Sequence, residues 1–385
     1  MDKRARLRLS WLSAYAGSNP VSRIRVEKLK MKIQLEMEIE IGGEKELLDF
    51  ISKIDEKNNI ALISHTDLDG ISCPKIITEI IHPQKIKFVD YVQLNGDLIS
   101  ELKEEGIDKI IISDLYITEE KFLKGLEEFA EILILDHHKS PDWNSEKTTF
   151  IKGADGYSAT YLCYYLFSKI EDIEKWDWLV ACTCISDYCH VKPREWLSKV
   201  MAKYGDTLEI KEDGNIRKSG KFWDLQYTIS LALVYFRNDL KKVYDNIESD
   251  FGDVGDLGEH AKEVRNEIDK AVKEFYEKKE EFDKGYFFEF KSKFPIKSIV
   301  ANELSGREQN KVFVIIESED GMYKISARRQ DRKFDCSAFL QNLLRGLERA
   351  EGGGHIPAAG GHFLKKDLPI VRGRLGLKVP IKTFK

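Results

Sequence analysis

With 385 residues, 42% of them apolar, the chain is long enough for two domains with hydrophobic cores. It holds no apolar run of about 18 residues, no secretory pattern after the basic stretch Met1–Arg8, and only six cysteines, which points to a reduced, cytoplasmic protein without a membrane span. The net charge of −5 is uneven: residues 1–30 carry +6 and residues 286–385 carry +8, so the part between is strongly acidic. That balance suits a cation-binding domain joined to one that faces a polyanion. Lysines that merely solvate a surface are the plainer alternative.

In chain order, residues 1–42 show no clean periodicity and read as a basic, poorly ordered extension, with Met31 as an alternative start. Residues 43–199 then repeat strand, loop and helix. Strand-like runs are Asn59–Ser64, Ile86–Val92, Ile110–Ser113 and Ile132–Leu135, with helical patterns near Ser72–Ile81, Asp97–Glu105 and Thr118–Phe129. Ile/Leu/Val runs alternating with helices predict an α/β fold with a doubly wound parallel sheet. Residues 200–285 are expected to be a helical connector. Its long, solvated helix would span Glu259–Lys284, with Val264, Ile268, Val272 and Phe275 at helical spacing. Residues 286–385 read as a smaller α+β domain, with strands at Lys311–Glu317 and Met322–Arg329, a helix near Cys336–Leu347, and glycine clusters at 352–354 and 360–361.

The candidate strands of the first domain end in metal-capable side chains. Asn59–Ser64 runs into His65, Asp67 and Asp69; Ile110–Ser113 ends at Asp114; Ile132–Leu135 ends at Asp136, His137 and His138. In open α/β sheets, ligands bind beyond the carboxyl ends of the strands. A single Asp after a strand is usually a helix cap; several converging on one edge point to a site. So many carboxylates repel one another without cations. Mixed imidazole and carboxylate donors suit Mn²⁺, with Mg²⁺ or Co²⁺ as alternatives, and a pair of ions would clamp a phosphoryl group.

His65-Thr66-Asp67-Leu68-Asp69-Gly70, Asp114, Asp136-His137-His138 and Ile185-Ser186-Asp187, in that order, resemble the motifs of the DHH phosphoesterase family. Gly352-Gly353-Gly354-His355, with Ser326-Ala327-Arg328 before it and Ala358-Ala359-Gly360 after it, resembles the DHH-associated substrate-binding domain. The likeness covers roughly residues 55–190 and 286–365. It implies that Asp67 binds a first metal and Asp69 a second, that Asp114 bridges both, and that His137 and Asp187 complete the second position. His65 joins as a further ligand, although its place two residues before Asp67 departs from relatives with a leading histidine. Asp136 would support the ligands, and His138 would contact the phosphate, making Asp114 and His138 the expected catalytic groups. Substrate contacts would come from His138, Ser326, Arg328, Gly352, Gly353, Gly354 and His355.

The implied activity is two-metal hydrolysis of phosphodiester bonds in single-stranded DNA or RNA or short oligonucleotides, by a 3′- or 5′-exonuclease or oligoribonuclease. A small-nucleotide phosphatase is one alternative, and a replication or repair partner-binding protein another. Cys182, Cys184, Cys189 and His190 match no common zinc spacing, and Cys182 and Cys184 are expected in the core. Ser158 and Thr160 read as a helix start, and Trp176 and Trp178 as packing residues.

Overall fold

A computed structural model describes residues 35–378 except 213 and 320; the part of the expected extension before residue 35 lies outside the described residues. The chain divides between Gly258 and Glu259 into two compact units.

The first unit carries strands β1 (Ile39–Ile41), β2 (Ile60–Ser64), β3 (Lys85–Phe88), β4 (Lys109–Ser113), β5 (Glu131–Asp136) and β6 (Thr148–Gly153). They form one sheet in the order β1-β6-β5-β4-β2-β3, parallel throughout except for β1, which runs antiparallel to β6. Helices cover both faces, so the strands bury alternate side chains on opposite sides. Leu62, Ile111 and Leu133 face one core with α1 (Glu44–Ser52), α2 (Leu68–Ile77), α5 (Ala159–Phe167) and α6 (Asp177–Ser186). Ile63, Ile112 and Ile134 face the other with α3 (Gly96–Glu104) and α4 (Glu120–Glu127). Each such side chain removed from water stabilises the fold by roughly 1.5–3 kcal/mol.

The expected 200–285 connector is not a single linking element. Helices α7 (Arg194–Lys203), α8 (Lys221–Tyr235) and α9 (Leu240–Asn246) place Val200, Phe222, Ile229 and Val243 in the first unit's core. The long helix α10 (Leu257–Lys278) is not mainly solvated either. Val264, Ile268, Val272 and Phe275 are buried, Phe275 with its ring 5.6 Å from those of Phe288 and Phe313. An apolar stripe at helical spacing finds a sheet to cover, and that outweighs the helix's high charge.

That sheet belongs to the second unit and runs β11-β12-β10-β9-β8-β7. Its strands are β7 (Glu280–Phe282), β8 (Gly285–Phe290), β9 (Val312–Glu319), β10 (Met322–Arg328), β11 (Glu351–His355) and β12 (Ala358–Leu364). Between them lie α11 (Lys297–Arg307) and α12 (Cys336–Leu344), and α13 (Leu368–Arg374) closes the unit. Phe287, Val314, Ile325 and Phe363 pack with Leu340 and Leu344 of α12 and Val371 of α13. Both glycine clusters lie in the paired strands β11 and β12, not in a turn. No helix among the described residues is long and apolar enough to cross a membrane.

Candidate metal centre

Strand order creates the site. From β2 the chain steps outward to β3, then crosses back to β4 on the other side of β2. A crevice opens at such a reversal, beyond the strands' carboxyl ends. In register there lie Ser64 of β2, Ser113 of β4 and Leu135 of β5. Ser64 and Ser113 hydroxyls meet at 2.8 Å, and Ser64 Oγ lies 2.5 Å from the Gly70 carbonyl. Small hydroxyl residues thus let the first turn of α2 close over the strand ends. Gly70 is required for this approach, because a Cβ there would fall 2.4 Å from the His65 carbonyl oxygen.

Asp67 caps α2, accepting from the Gly70 N–H at 2.9 Å. Its other oxygen lies 3.0 Å from His65 Nδ1, and His65 Nδ1 also lies 3.8 Å from Asp114 Oδ2. Neither contact is aligned as a hydrogen bond, so His65 Nδ1 and Asp114 Oδ2 are buried polar atoms with no hydrogen-bond partner. Asp114 is 1% exposed and has φ +55°, a left-handed conformation that only Gly, Asn and Asp adopt readily.

His137 Nε2 lies 3.4 Å from Asp114 Oδ1, 3.6 Å from Asp187 Oδ2 and 4.0 Å from Asp69 Oδ2. Asp187 arrives from the carboxyl end of α6, where its N–H bonds the Thr183 carbonyl at 3.0 Å. Asp136 Oδ1 accepts from the His137 N–H and from His138 Nδ1, both at 2.8 Å. That fixes the His138 ring through Nδ1, with the side chain about one-third exposed. Tyr91 sits beside the cluster, its ring 4.9 Å from that of His65 and edge-on to His138 at 6.5 Å.

The charges respond to this crowding. Burial, then the carboxylates of Asp69, Asp67, Asp136 and Asp187, push the Asp114 carboxyl well above its ordinary value. Burial and Asp69 raise Asp187 to about 6. Burial opposes ionisation of Asp67 and Asp136 too, but His65 beside one and His138 beside the other outweigh it and hold both low. The same pairs raise His65 and His138 against a burial cost. A buried carboxylate oxygen without an aligned hydrogen bond, beside imidazoles and inside a ring of acids, fits a divalent cation. His65, Asp67, Asp114, His137 and Asp187 fall in groups that could hold it, with Asp69 Oδ2 4.0 Å from His137.

Two features were not legible in the sequence. Asp69 is also a structural anchor. Its carboxylate accepts from the amino-terminal N–H groups of α5, Ala159 at 2.7 Å and Thr160 at 3.0 Å, where a helix favours an anion. Ser158 caps the same helix, as its sequence suggests. Cys189 joins the site's margin, its Sγ 3.5 Å from Asp187 Oδ2, whereas Cys182 and Cys184 are buried in the core. Trp176 and Trp178 pack there as expected.

In the second unit, Ser326 and Arg328 lie on one face of β10, and Gly360 of β12 pairs with Ser326 and with Gly353 of β11. Ser326 Oγ is buried without a hydrogen-bond partner. Arg328 donates through Nη1 to the Ala359 carbonyl at 2.6 Å and through Nε to Asn302 at 2.9 Å, so its guanidinium is held against strand and helix. A Cβ on Gly353 would meet nothing within 4 Å among the described residues, which leaves backbone open beside Ser326. Gly352 instead faces Leu340 and Leu344, and Gly354, at φ +141°, has Ala358 O 2.4 Å from where a Cβ would be. His355 is exposed.

The second unit's architecture is that of a known module: residues 286–369 match the DHHA1 domain family. No curated protein matches the chain in sequence. Among solved structures, Thermus thermophilus RecJ in complex with Mn²⁺ shares the fold with TM-score 0.64 at 14% identity, over 90% of this chain; this chain spans 55% of that one. An exonuclease RecJ bound to manganese gives TM-score 0.62 at 15% identity, over 89% of this chain and 95% of the other. The pGpG-specific phosphodiesterase PggH from Vibrio cholerae gives 0.50 at 14%, over 82% and 97%. The chain thus shares the fold of these structures, an α/β unit followed by a unit whose residues 286–369 match the DHHA1 domain.

Proposed function

We propose that this protein hydrolyses phosphodiester bonds in single-stranded or short nucleic acid, stepwise from an end, in the cytoplasm and with two Mn²⁺ ions. The observation that carries the reading is the convergence of His65, Asp67, Asp69, Asp114, His137 and Asp187 on one crevice, with Asp114 Oδ2 buried and without an aligned hydrogen bond. Bound divalent ions would supply a water of lowered pKa and screen the charge of the phosphoryl group. Mg²⁺ or Co²⁺ could serve in place of Mn²⁺.

The chain's own residues do the rest. Asp114, between His65 and His137, would hold the ions and help to orient a water for attack. Asp136 holds His138 by Nδ1 and favours its imidazolium, so Nε2 presents a proton to a phosphoryl oxygen as charge develops. In the DHHA1 domain, Arg328, Ser326 and the open backbone at Gly353, with Gly352, Gly354 and His355 shaping the hairpin, would contact substrate phosphate.

The relatives' printed activities, an exonuclease and a dinucleotide phosphodiesterase, support the class and leave polymer and short nucleotide as the two substrate sizes to separate. A purely partner-binding role is disfavoured, since such a role has no use for a complete donor set. The test is incubation of end-labelled DNA and RNA of several lengths with protein and Mn²⁺, followed by product sizing. Laddered or mononucleotide products support the proposal. Release of inorganic phosphate alone from small nucleotides would replace it with the phosphatase reading.

A further inference from the structure

Cys189 is the one cysteine of the α6 region that leaves the core for the metal centre. Its Sγ, a carboxylate oxygen of Asp187 and a ring nitrogen of His137 lie within 4.8 Å of one another. Sγ is 3.5 Å from Asp187 Oδ2, and His137 Nε2 is 3.6 Å from the same oxygen. A tetrahedral ion, with bonds of about 2.1 Å to N or O and 2.3 Å to S, separates its donors by roughly 3.4–3.6 Å. The two spacings to Asp187 Oδ2 match, and Sγ and the His137 nitrogen lie within 4.8 Å of each other. Independently, Asp114 Oδ2 is a buried oxygen without an aligned hydrogen bond, on a carboxylate whose other oxygen is 3.4 Å from His137, so a polar atom beside this group is aimed where a cation would sit.

We infer that Cys189 is a metal ligand, completing with His137 and Asp187 a mixed nitrogen, oxygen and sulfur position that favours Zn²⁺ or Co²⁺ over Mg²⁺. This rests on the metal-dependent reading of the site above. Binding replaces the S–H bond by a metal–sulfur bond, and the proton, which now points at Asp187, leaves to solvent. A thiolate is a soft donor, whereas Mg²⁺ takes hard oxygen ligands, so sulfur at this position shifts selectivity between them.

The experiment is Co²⁺ titration of the full chain followed by absorption. A near-ultraviolet thiolate-to-cobalt charge-transfer band is expected, lost in Cys189→Ser while the visible cobalt bands persist. In competition, Cys189→Ser should weaken Zn²⁺ binding roughly tenfold or more and leave Mg²⁺ binding nearly unchanged. Visible bands without charge transfer in the wild type overturn the ligand assignment alone. No cobalt binding at all overturns the metal centre with it. Should Cys189→Ser not fold, protection of Cys189 from alkylation by Zn²⁺, located by peptide mapping of the wild type, reads the same contact; unprotected Cys189 refutes it.

Discussion

Asp114→Asn isolates the charge at the centre of the site. Asparagine keeps the shape and tolerates the left-handed backbone at φ +55°, so the substitution removes charge without adding backbone strain. Without metal, the buried Asp114 carboxyl is raised well above its ordinary value. Stability from a raised carboxyl is fully present below its unfolded pKa, near 4, and is lost as pH rises through the folded value. At pH 7.5 in chelator the wild type therefore carries a penalty that the amide does not. Relief of the buried charge and of its repulsion by neighbouring carboxylates should raise the variant's melting temperature, by about 3 °C for each kcal/mol relieved in a unit of this size. At pH 4 the difference should vanish. With excess Mn²⁺ the order should reverse, because metal bound only by the native state stabilises by mass action, by about 2.7 kcal/mol at one hundred times Kd. The assay is differential scanning fluorimetry of both proteins at two pH values, with chelator and with Mn²⁺. A variant that melts lower in chelator at pH 7.5, or gains as much from Mn²⁺ as the wild type, would refute the reasoning.

Asp187, raised to about 6, must lose its proton to bind metal, so Mn²⁺ affinity by calorimetry should fall up to about tenfold per pH unit below 6; a flat profile from pH 7 to 5 contradicts its role as ligand. Asp69→Ala strips two N–H groups of α5 of a buried anionic acceptor and should cost about 3 kcal/mol in urea unfolding even in chelator. A loss seen only with Mn²⁺ would make Asp69 a ligand and nothing more. Arg328→Ala should raise KM with little change in kcat and flatten the salt dependence of single-strand binding by about 0.7 log units per log of salt. An unchanged slope in a binding titration would remove Arg328 from the phosphate contacts.

Part of the candidate site was legible because Asp114 and Asp136 close strands that announce themselves. Ile110–Ser113 and Ile132–Leu135 are continuous apolar runs, and a parallel sheet covered on both faces demands such runs. Asp187 closes the helix α6 instead, and only the family resemblance pointed to it. What was missed depends on contacts distant in sequence. Nothing near Asp69 shows that its carboxylate will seat the α5 terminus 90 residues on, and nothing beside Cys189 separates it from the core cysteines before it. Ile39–Ile41 is too short to show a period and becomes a strand only by pairing with β6. Glu351–His355 contradicts β propensity outright: its glycines pair because β12 lies alongside, and a side chain at Gly352 would press on Leu340 and Leu344. In α10 the apolar stripe was visible, but the charge density around it argued for a solvated helix, whereas its four residues are buried, Phe275 against the second sheet.

The most direct test of the account is hydrolysis of an end-labelled single-stranded oligonucleotide by extensively chelated protein, with Mn²⁺ returned stepwise and bound metal counted at each point. The account predicts no turnover without metal, activity that rises as two ions per chain bind, and loss of at least about a thousandfold in rate for Asp114→Asn at saturating Mn²⁺. Full turnover in excess chelator, or near-normal turnover by the variant, would contradict it.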